Sequence, residues 1–128
     1  MLNLEHLDTI RRLNDAARSR PGSASIANVT VGFQSLPDAD RFAALAAIVG
    51  FSKFDGDNDP YGEHDFGAVY RLVSGAWTQD RPDGDHAIGQ TVFWKVDYYD
   101  TSLTFGSEAP WDEKQTKRVL TIMLASEY

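Results

Sequence analysis

The chain contains no cysteine. Disulfide bonds, thiolate zinc sites and cysteine nucleophiles are therefore excluded, and the composition fits a reducing compartment. Basic residues are also scarce, because 12 Lys and Arg stand against 19 Asp and Glu, which gives a formal net charge of −7. Nucleic-acid binding normally needs a basic face that displaces counterions, so we expect no direct binding to DNA or RNA. An acidic protein is better suited to a protein partner with a basic surface, including proteins that themselves bind nucleic acid.

Long hydrophobic runs are missing as well. The longest apolar run is FAALAAIVGF at residues 42–51, with ten residues, whereas a membrane-spanning helix needs about 20. The first twelve residues, MLNLEHLDTIRR, lack the apolar segment of a signal peptide. We therefore expect a cytoplasmic protein without a membrane partner.

The chain does contain enough apolar material for one core. Of its 128 residues, 42% are apolar and 12% are aromatic, which is typical of a globular protein and not of a disordered one. This length predicts a single domain over residues 1–128. We expect a core over residues 26–128 and a loosely attached helix within residues 1–20, because the PGSAS segment between them resembles a linker.

Hydrophobic periodicity predicts two helices in the first half of the chain. Asn3 caps the first, whose apolar residues recur every three to four positions at Leu4, Leu7, Ile10, Leu13 and Ala17. A capping-box pattern at residues 35–38 opens the second helix. Its predicted buried face consists of Phe42, Leu45, Ala46 and Val49. Gly50 is then expected to end this helix in a left-handed conformation.

Three stretches have the composition and alternation of strands, at residues 27–33, 66–73 and 90–99. The last one, QTVFWKVDYY, has the clearest pattern, with Val92, Trp94, Val96 and Tyr98 on one side. Residues 74–88 contain the turn signal PDGD and predict a loop or a wide hairpin. Residues 103–105 are a candidate for a short fourth strand.

A third helix is expected near the end of the chain. Pro110 and the acids at residues 112–113 suit a helix N-terminus, and the apolar residues at 119–124 would be its buried side. The predicted order is therefore α-β-α-β-β-(β)-α. Strands that cluster between helices favour the α+β class, with an antiparallel sheet of three to four strands and helices packed on one face.

The most distinctive segment is DGDNDPYGEHDFG, residues 55–67, which holds five carboxylates and no Lys or Arg. The acids Asp55, Asp57 and Asp59 match the first three ligand positions of an EF-hand calcium loop. However, Pro60 occupies the position that requires glycine, and Phe66 occupies the position of the bidentate glutamate. An EF-hand is therefore excluded, while a looser cation site and a solvated turn both remain open.

A catalytic interpretation of the same segment is also open. Glu63, His64 and Asp65 are contiguous, so their side chains alternate between opposite faces of an extended chain and cannot form one constellation alone. His64 could pair with Asp97 or Lys95 on the long strand and act as a general base. No nucleophile motif or phosphate-binding loop accompanies it. The simpler interpretation is a histidine that ties the loop to the sheet.

Three stretches together resemble the signature blocks of a bacterial domain-of-unknown-function family, number 3768. They are DNDPYGEHDFG at 57–67, VFWKVDYYD at 92–100 and TKRVLTIMLASEY at 116–128. The resemblance extends over residues 29–128. It implies a small acidic protein of plasmids and other mobile elements, and such proteins often bind host defence or nucleic-acid-handling machinery. It implies no established activity.

We therefore hypothesise a non-enzymatic interaction protein without a cofactor, and its sequence leaves the oligomeric state open. The predicted partner-facing surface combines the acidic segment with the outward side of the long strand: Asp55, Asp57, Asp59, Tyr61, Glu63, His64, Asp65, Lys95, Asp97 and Tyr99. The alternative is a small-ligand-binding or metal-binding protein, or a hydrolase-like enzyme, that uses His64, Asp65, Lys95 and Asp97. Convergence of these side chains in a concave pocket would favour the alternative.

Overall fold

A computed structural model describes residues 3–128. The helices are α1 (Leu4–Ser19), α2 (Val31–Gln34) and α3 (Asp38–Val49). The strands are β1 (Ile26–Val29), β2 (Phe66–Leu72), β3 (Trp77–Thr78), β4 (Ile88–Tyr99) and β5 (Lys117–Leu124). Two single 3₁₀ turns follow β3 and β5, at Asp85–Ala87 and Ala125–Glu127.

The strands form one five-stranded sheet in the order β1-β5-β4-β2-β3. β1 is parallel to β5, whereas the other neighbouring pairs are antiparallel. The mixed α and β composition is confirmed, but the prediction of a purely antiparallel sheet of three to four strands is wrong. The chain between β1 and β5 contains α2, α3, β2, β3 and β4. Parallel strands require such a long crossover connection.

The predicted C-terminal helix is wrong, because residues 117–124 form β5. Alternate residues Arg118, Leu120 and Ile122 are buried, and the strand lies between β1 and β4 in the sheet. Val119 and Met123 on the other side of the strand are apolar as well, so the apolar residues of β5 also fit a helix pattern. Asp112 does not open a helix; its carboxylate accepts hydrogen bonds from the Lys114 backbone N and the Gln115 side chain in a turn.

The segment at residues 103–105 is a turn and not a fourth strand. Asp100 Oδ1 accepts a hydrogen bond from the Thr104 backbone N, and Leu103 has a positive φ of 59°. Beyond this turn a single bridge joins Tyr99 to Gly106. The predicted strand before it is confirmed, since β4 ends at Tyr99.

The first helix begins and ends close to its predicted limits. The Asn3 side chain accepts hydrogen bonds from the backbone N of Glu5 and His6. Four of the five predicted stripe residues are buried: Leu7, Ile10, Leu13 and Ala17. This stripe packs α1 against β5, β4 and α3.

The second predicted helix has a different start and a different buried face. Pro37 is its N-cap and makes no side-chain hydrogen bond, so the capping box at 35–38 does not form. Phe42 is 71% exposed, whereas Ala44 and Ile48 are fully buried. Small and β-branched side chains let α3 approach the sheet closely, and Phe51 beyond the helix fills the space against Trp94. Gly50 has φ −91°, so it does not adopt the left-handed conformation.

The strand predicted over residues 27–33 ends at Val29, and α2 begins two residues later. Thr30 caps this single turn, because its hydroxyl accepts a hydrogen bond from the Phe33 backbone N. Glu127 then accepts hydrogen bonds from the Thr30 hydroxyl and the Gly32 backbone N. The side-chain and backbone donors of this segment are therefore used in a turn and not in a longer strand.

The helices cover one face of the sheet and leave the other uncovered within residues 3–128. Ala17 of α1 and Ile48 of α3 join a single core with Val92, Trp94 and Val96 of β4. The alternate residues of β2, β4 and β5 point to the opposite side, which we call the open face: Phe66, Ala68, Tyr70, Phe93, Lys95, Asp97, Tyr99, Val119, Thr121 and Met123. Tyr128 lies across its centre, with ring centroids 5.8 Å from Phe66 and 5.6 Å from Phe93.

Candidate functional site

The outer half of the acidic loop, residues 55–65, is a turn organised by Asp55 and Asn58. Asp55 Oδ1 accepts hydrogen bonds from the backbone N of Asp57 and Asn58, at 2.9 and 3.0 Å. The Asn58 side chain donates to the Lys53 carbonyl and accepts from the Asp55 backbone N. Asp55 and Asp57 are exposed. The turn therefore holds two carboxylates in fixed positions in solvent.

The inner half of the loop is bound to α1 through His64. His64 Nδ1 lies 2.9 Å from Asp15 Oδ1, and Nε2 lies 3.8 Å from Asp59 Oδ2. The backbone N of His64 donates to Asp59 Oδ1, and its ring stacks on Phe54 with centroids 3.8 Å apart. Asp59 is buried. His64 therefore ties the loop to helix α1, whereas the sequence suggested either a tie to the sheet or, in the catalytic interpretation, a pair with Lys95 or Asp97.

A buried hydrogen-bond network continues from His64 towards β4 and β5. Asn14 is fully buried and donates through Nδ2 to the Glu63 carbonyl at 3.0 Å and to Tyr98 Oη at 2.7 Å. Tyr98 Oη donates in turn to Glu63 Oε1 at 2.7 Å. Arg118 Nε donates to Asn14 Oδ1 at 2.7 Å. Burial and the bond to Glu63 raise the pKa of Tyr98, so this phenol remains protonated and acts as a structural donor.

Asp65 has the most perturbed carboxyl group of the loop. Burial first, and then the negative charges of Glu63, Asp59 and Asp97, raise its pKa to about 6. A raised carboxyl pKa often marks a catalytic acid. In this protein, partial burial among other acids is a sufficient cause, and no cationic partner of Asp65 is present within residues 3–128.

Lys95 and Asp97 lie on the other side of the sheet from His64. Lys95 Nζ and Asp97 Oδ2 form an ion pair at 2.8 Å on the open face, and this hydrogen bond raises the pKa of Lys95. Trp94 and Val96, which alternate with them along β4, point into the core beneath the helices. The four residues of the alternative site, His64, Asp65, Lys95 and Asp97, therefore do not converge.

Two grooves follow the open face on either side of Tyr128. The first, of about 570 Å³, joins the acidic loop to the sheet, and its walls include Asp55, Asp57, Phe66, Tyr70 and Phe93. The second, of about 540 Å³, is lined by residues that include Lys95, Asp97, Tyr99, Thr121 and Tyr128.

The ten predicted surface residues are therefore divided by the structure. Asp55, Asp57, Lys95, Asp97 and Tyr99 belong to one surface that is continuous across the aromatic cluster. His64 and Glu63 contact α1 and β4, and the buried Asp59 contacts His64. Neither open-face groove is lined by Tyr61 or Asp65. Tyr61 is 76% exposed at the tip of the loop.

The described residues offer no group of three or more His, Asp or Glu side chains that could hold a metal ion. Within the same residues 3–128, each helix is too short or too polar to span a lipid bilayer.

The residues of α1 that hold the loop were not predicted from the sequence. Asn14, Asp15 and Arg18 are polar residues next to the apolar stripe of α1, yet Asn14 and Arg18 are buried. Arg18 Nη1 lies 2.9 Å from Asp15 Oδ1, the same oxygen that His64 contacts. The helical spacing indicates that Asn14 and Arg18 are buried, because positions 14 and 18 lie on the same side of a helix as positions 7 and 10.

The family model described as Protein of unknown function (DUF3768) matches residues 29–127. The chain belongs to this family. The match contains the acidic loop and all of β2, β3, β4 and β5, which confirms the resemblance of the three sequence blocks. α1 lies before the matched residues, although it supplies the partners of His64 and Glu63. No curated protein and no solved structure shows significant similarity to the chain.

Proposed function

We propose that this DUF3768 protein is a non-enzymatic interaction protein whose open face and acidic loop bind a basic polypeptide. The observation that carries the proposal is the single groove that joins Asp55 and Asp57 to the aromatic side chains of Phe66, Tyr70 and Phe93. Negative charge at the rim and aromatic area at the centre are the usual parts of a protein-binding surface.

The charge distribution around this groove favours a basic partner. Its two cations are already neutralised, because Lys53 pairs with Asp80 and Arg81 pairs with Asp85. Asp55 and Asp57 have no cationic partner within residues 3–128. Each is therefore available to a Lys or Arg of the partner, and the net charge of −7 would steer such a partner towards the protein.

The apolar part of the surface is formed by aromatic residues that the helices leave uncovered. Phe66, Phe93 and Tyr128 pack edge to face or tilted at centroid distances of 5.2 to 5.8 Å. Tyr128 remains 75% exposed above them. Aromatic side chains that are rigid before binding lose little conformational entropy when a partner covers them.

The same geometry gives less support to the alternative enzyme or ligand-binding site. His64 and Asp65 lie on the helix side of the sheet, while Lys95 and Asp97 lie on the open face. His64 contacts the Asp15 carboxylate through Nδ1, and its ring stacks on Phe54. We further propose, from the family resemblance, that the partner is a host defence or nucleic-acid-handling protein met by a bacterial mobile element.

Selection of displayed random peptides on the immobilised protein tests the proposal. We expect enrichment of peptides with Lys or Arg beside aromatic residues, and the best peptide is then titrated against variants at low salt. Asp55→Asn with Asp57→Asn should weaken binding about tenfold, from about 0.7 kcal/mol per lost charge, and less at high salt. Tyr128→Ala should also weaken it, by about fivefold or more.

The matched control is Asp83→Asn with Glu108→Gln, which removes two exposed acids elsewhere on the chain. It should change the affinity less than about twofold. Equal weakening by both double variants would show non-specific attraction to a negative protein. Peptides without basic residues, or binding that Tyr128→Ala leaves unchanged, would contradict the proposed surface.

A further inference from the structure

A third groove, of about 580 Å³, lies away from the open face and concentrates positive charge. Seven of the twelve Lys and Arg residues form ion pairs with carboxylates within residues 3–128. The other five do not. Four of these five line this groove: Arg12, Arg20, Lys117 and Arg118. The unpaired cations of an acidic protein are therefore gathered at one place.

Three segments of the chain form the groove. α1 contributes Arg12 and the apolar residues Leu13 and Ala16, and the segment that follows it contributes the residues at 20 and 22–26. The third wall is the residue pair Lys117–Arg118 at the start of β5, with Thr116 before it. None of these residues lines either groove of the open face, so the two surfaces are separate.

Arg118 is fixed in advance at the inner end of the groove. It is buried, donates through Nε to Asn14 Oδ1 and through Nη2 to the Pro110 carbonyl, and lies over the Tyr98 ring at 5.0 Å. These contacts hold the guanidinium without neutralising it, because neither oxygen belongs to a carboxylate. A guanidinium held in this way can present its remaining N–H groups to an anion with little loss of entropy.

The other charges of the groove are arranged around this fixed one. Arg12, Arg20 and Lys117 are exposed at the rim, and Glu113 is the single carboxylate among the lining residues. Four cations that share one groove repel each other, and two acids, Glu113 in the groove and Glu63 near Arg118, offset this repulsion in part. A bound anion with more than one negative charge would relieve this repulsion.

The size of the groove indicates more than a bare inorganic anion. Pockets of about 300 to 1,000 Å³ generally hold drug-sized molecules, whereas phosphate fills a small part of that volume. Leu13, Ala16 and Ile26 add apolar surface, and the Ser23 hydroxyl adds a donor beside the cations. We propose that the groove binds a phosphate-bearing small molecule of mononucleotide size, with the phosphate at Arg118 and the rim cations around it.

Calorimetric titration with sodium phosphate, pyrophosphate, AMP and ATP at constant ionic strength tests this site. We expect AMP or ATP to bind with a Kd of about 1 mM or tighter, and more tightly than inorganic phosphate. Arg12→Gln with Lys117→Gln should weaken this binding by about tenfold or more, because two of the four cations are removed. Both side chains are exposed, so the fold should tolerate the change.

The matched control is Lys53→Gln with Lys114→Gln, which removes two exposed cations outside the groove and should leave the affinity within about twofold. Absence of binding by all four probes, or equal weakening by the control, would overturn the proposal. A short single-stranded oligonucleotide that binds more tightly than ATP, and is lost in Arg12→Gln with Lys117→Gln, would show a nucleic-acid site in its place. Each result is independent of peptide binding on the open face.

Discussion

Asp65 lies at the point where the acidic loop enters β2, half-buried and close to three other carboxylates. Its raised pKa of about 6 means that the folded protein holds the proton more tightly than the unfolded chain, in which the carboxyl group titrates near its ordinary value of 3.8. The contribution of Asp65 to stability is therefore fully present below about pH 4 and is lost as the pH rises through about 6. Ionised Asp65 makes the folded state less stable at neutral pH.

We predict that Asp65→Asn raises the free energy of unfolding by about 1 kcal/mol near pH 8 and changes it little near pH 4, after allowance for solvent screening. Urea unfolding at a series of pH values measures this difference. Asp57→Asn, at an exposed acid of the same loop, is the control and should show no such pH dependence. A pH-independent effect of Asp65→Asn would mean that packing, and not charge, sets its contribution.

For single residues, the face of the sheet on which a side chain lies was predicted better than the residues that it contacts. The pattern on β4 correctly separated Trp94 and Val96 from Lys95 and Asp97, because alternation in a strand is fixed by the backbone. Both interpretations of His64 placed its contacts on the sheet, whereas its ring contacts Asp15 of α1. His64 has a φ of 58°, and this left-handed turn directs its side chain in a way that strand alternation does not describe. Asp15 is far from it in sequence, so no local pattern joins the two.

Among the elements, β2 depends on one glycine for its close packing beneath the helices. A Cβ atom at Gly67 would lie 2.6 Å from Trp94 Nε1 and 2.8 Å from Phe51 Cζ. Both rings belong to the core and pack against each other at a centroid distance of 5.4 Å. Glycine inside a strand often marks such a close approach of another group.

We predict that Gly67→Ala lowers the free energy of unfolding by about 2 kcal/mol, because the Trp94 and Phe51 rings must both move. Thermal and urea unfolding measure the change. Gly56→Ala is the matched control, since nothing lies within 4 Å of its Cβ position, and it should be neutral within about 0.5 kcal/mol. Equal stability of the two variants would show that the core around Trp94 adapts easily.

The elements with clear local signals were predicted correctly. α1 has a capping residue and a regular stripe, and β2 and β4 have β-branched and aromatic residues in alternation. β5 was mistaken for a helix because both of its sides carry apolar residues, and its place in the sheet depends on pairing with β1 and β4, which its own sequence does not show. The buried side of α3 was also missed, since the small residue Ala44, and not Phe42, meets the sheet.

For the whole molecule, the network around Asn14 joins α1 to the part of the chain that the family model matches. Asn14 contacts the Glu63 carbonyl of the loop, Tyr98 of β4 and Arg118 of β5. Near the first turn of α1, the His6 ring stacks on the Trp111 ring, with centroids 4.0 Å apart. α1 therefore supports the acidic loop from the side opposite the open face.

We predict that Asn14→Ala lowers the free energy of unfolding by about 3 kcal/mol, since it leaves the buried Arg118 Nε and the Glu63 carbonyl without a partner. Urea unfolding measures the loss, and hydrogen exchange of residues 4–19 shows whether α1 loosens first. Asn28→Ala, at an exposed position of β1, should cost less than about 0.5 kcal/mol. Unchanged exchange in α1 would contradict an anchoring role of the network.

The parallel pairing of β1 with β5 has a consequence for how the chain reaches this structure. β1 is synthesised well before β5, the strand with which it pairs in the sheet of residues 3–128. Closing so long a loop has an entropic cost that later contacts must offset, which slows folding. Until β5 has docked on β4, the backbone N–H and C=O groups of Ile26–Val29 lack the strand with which they pair in the folded protein, so water must satisfy them during this stage.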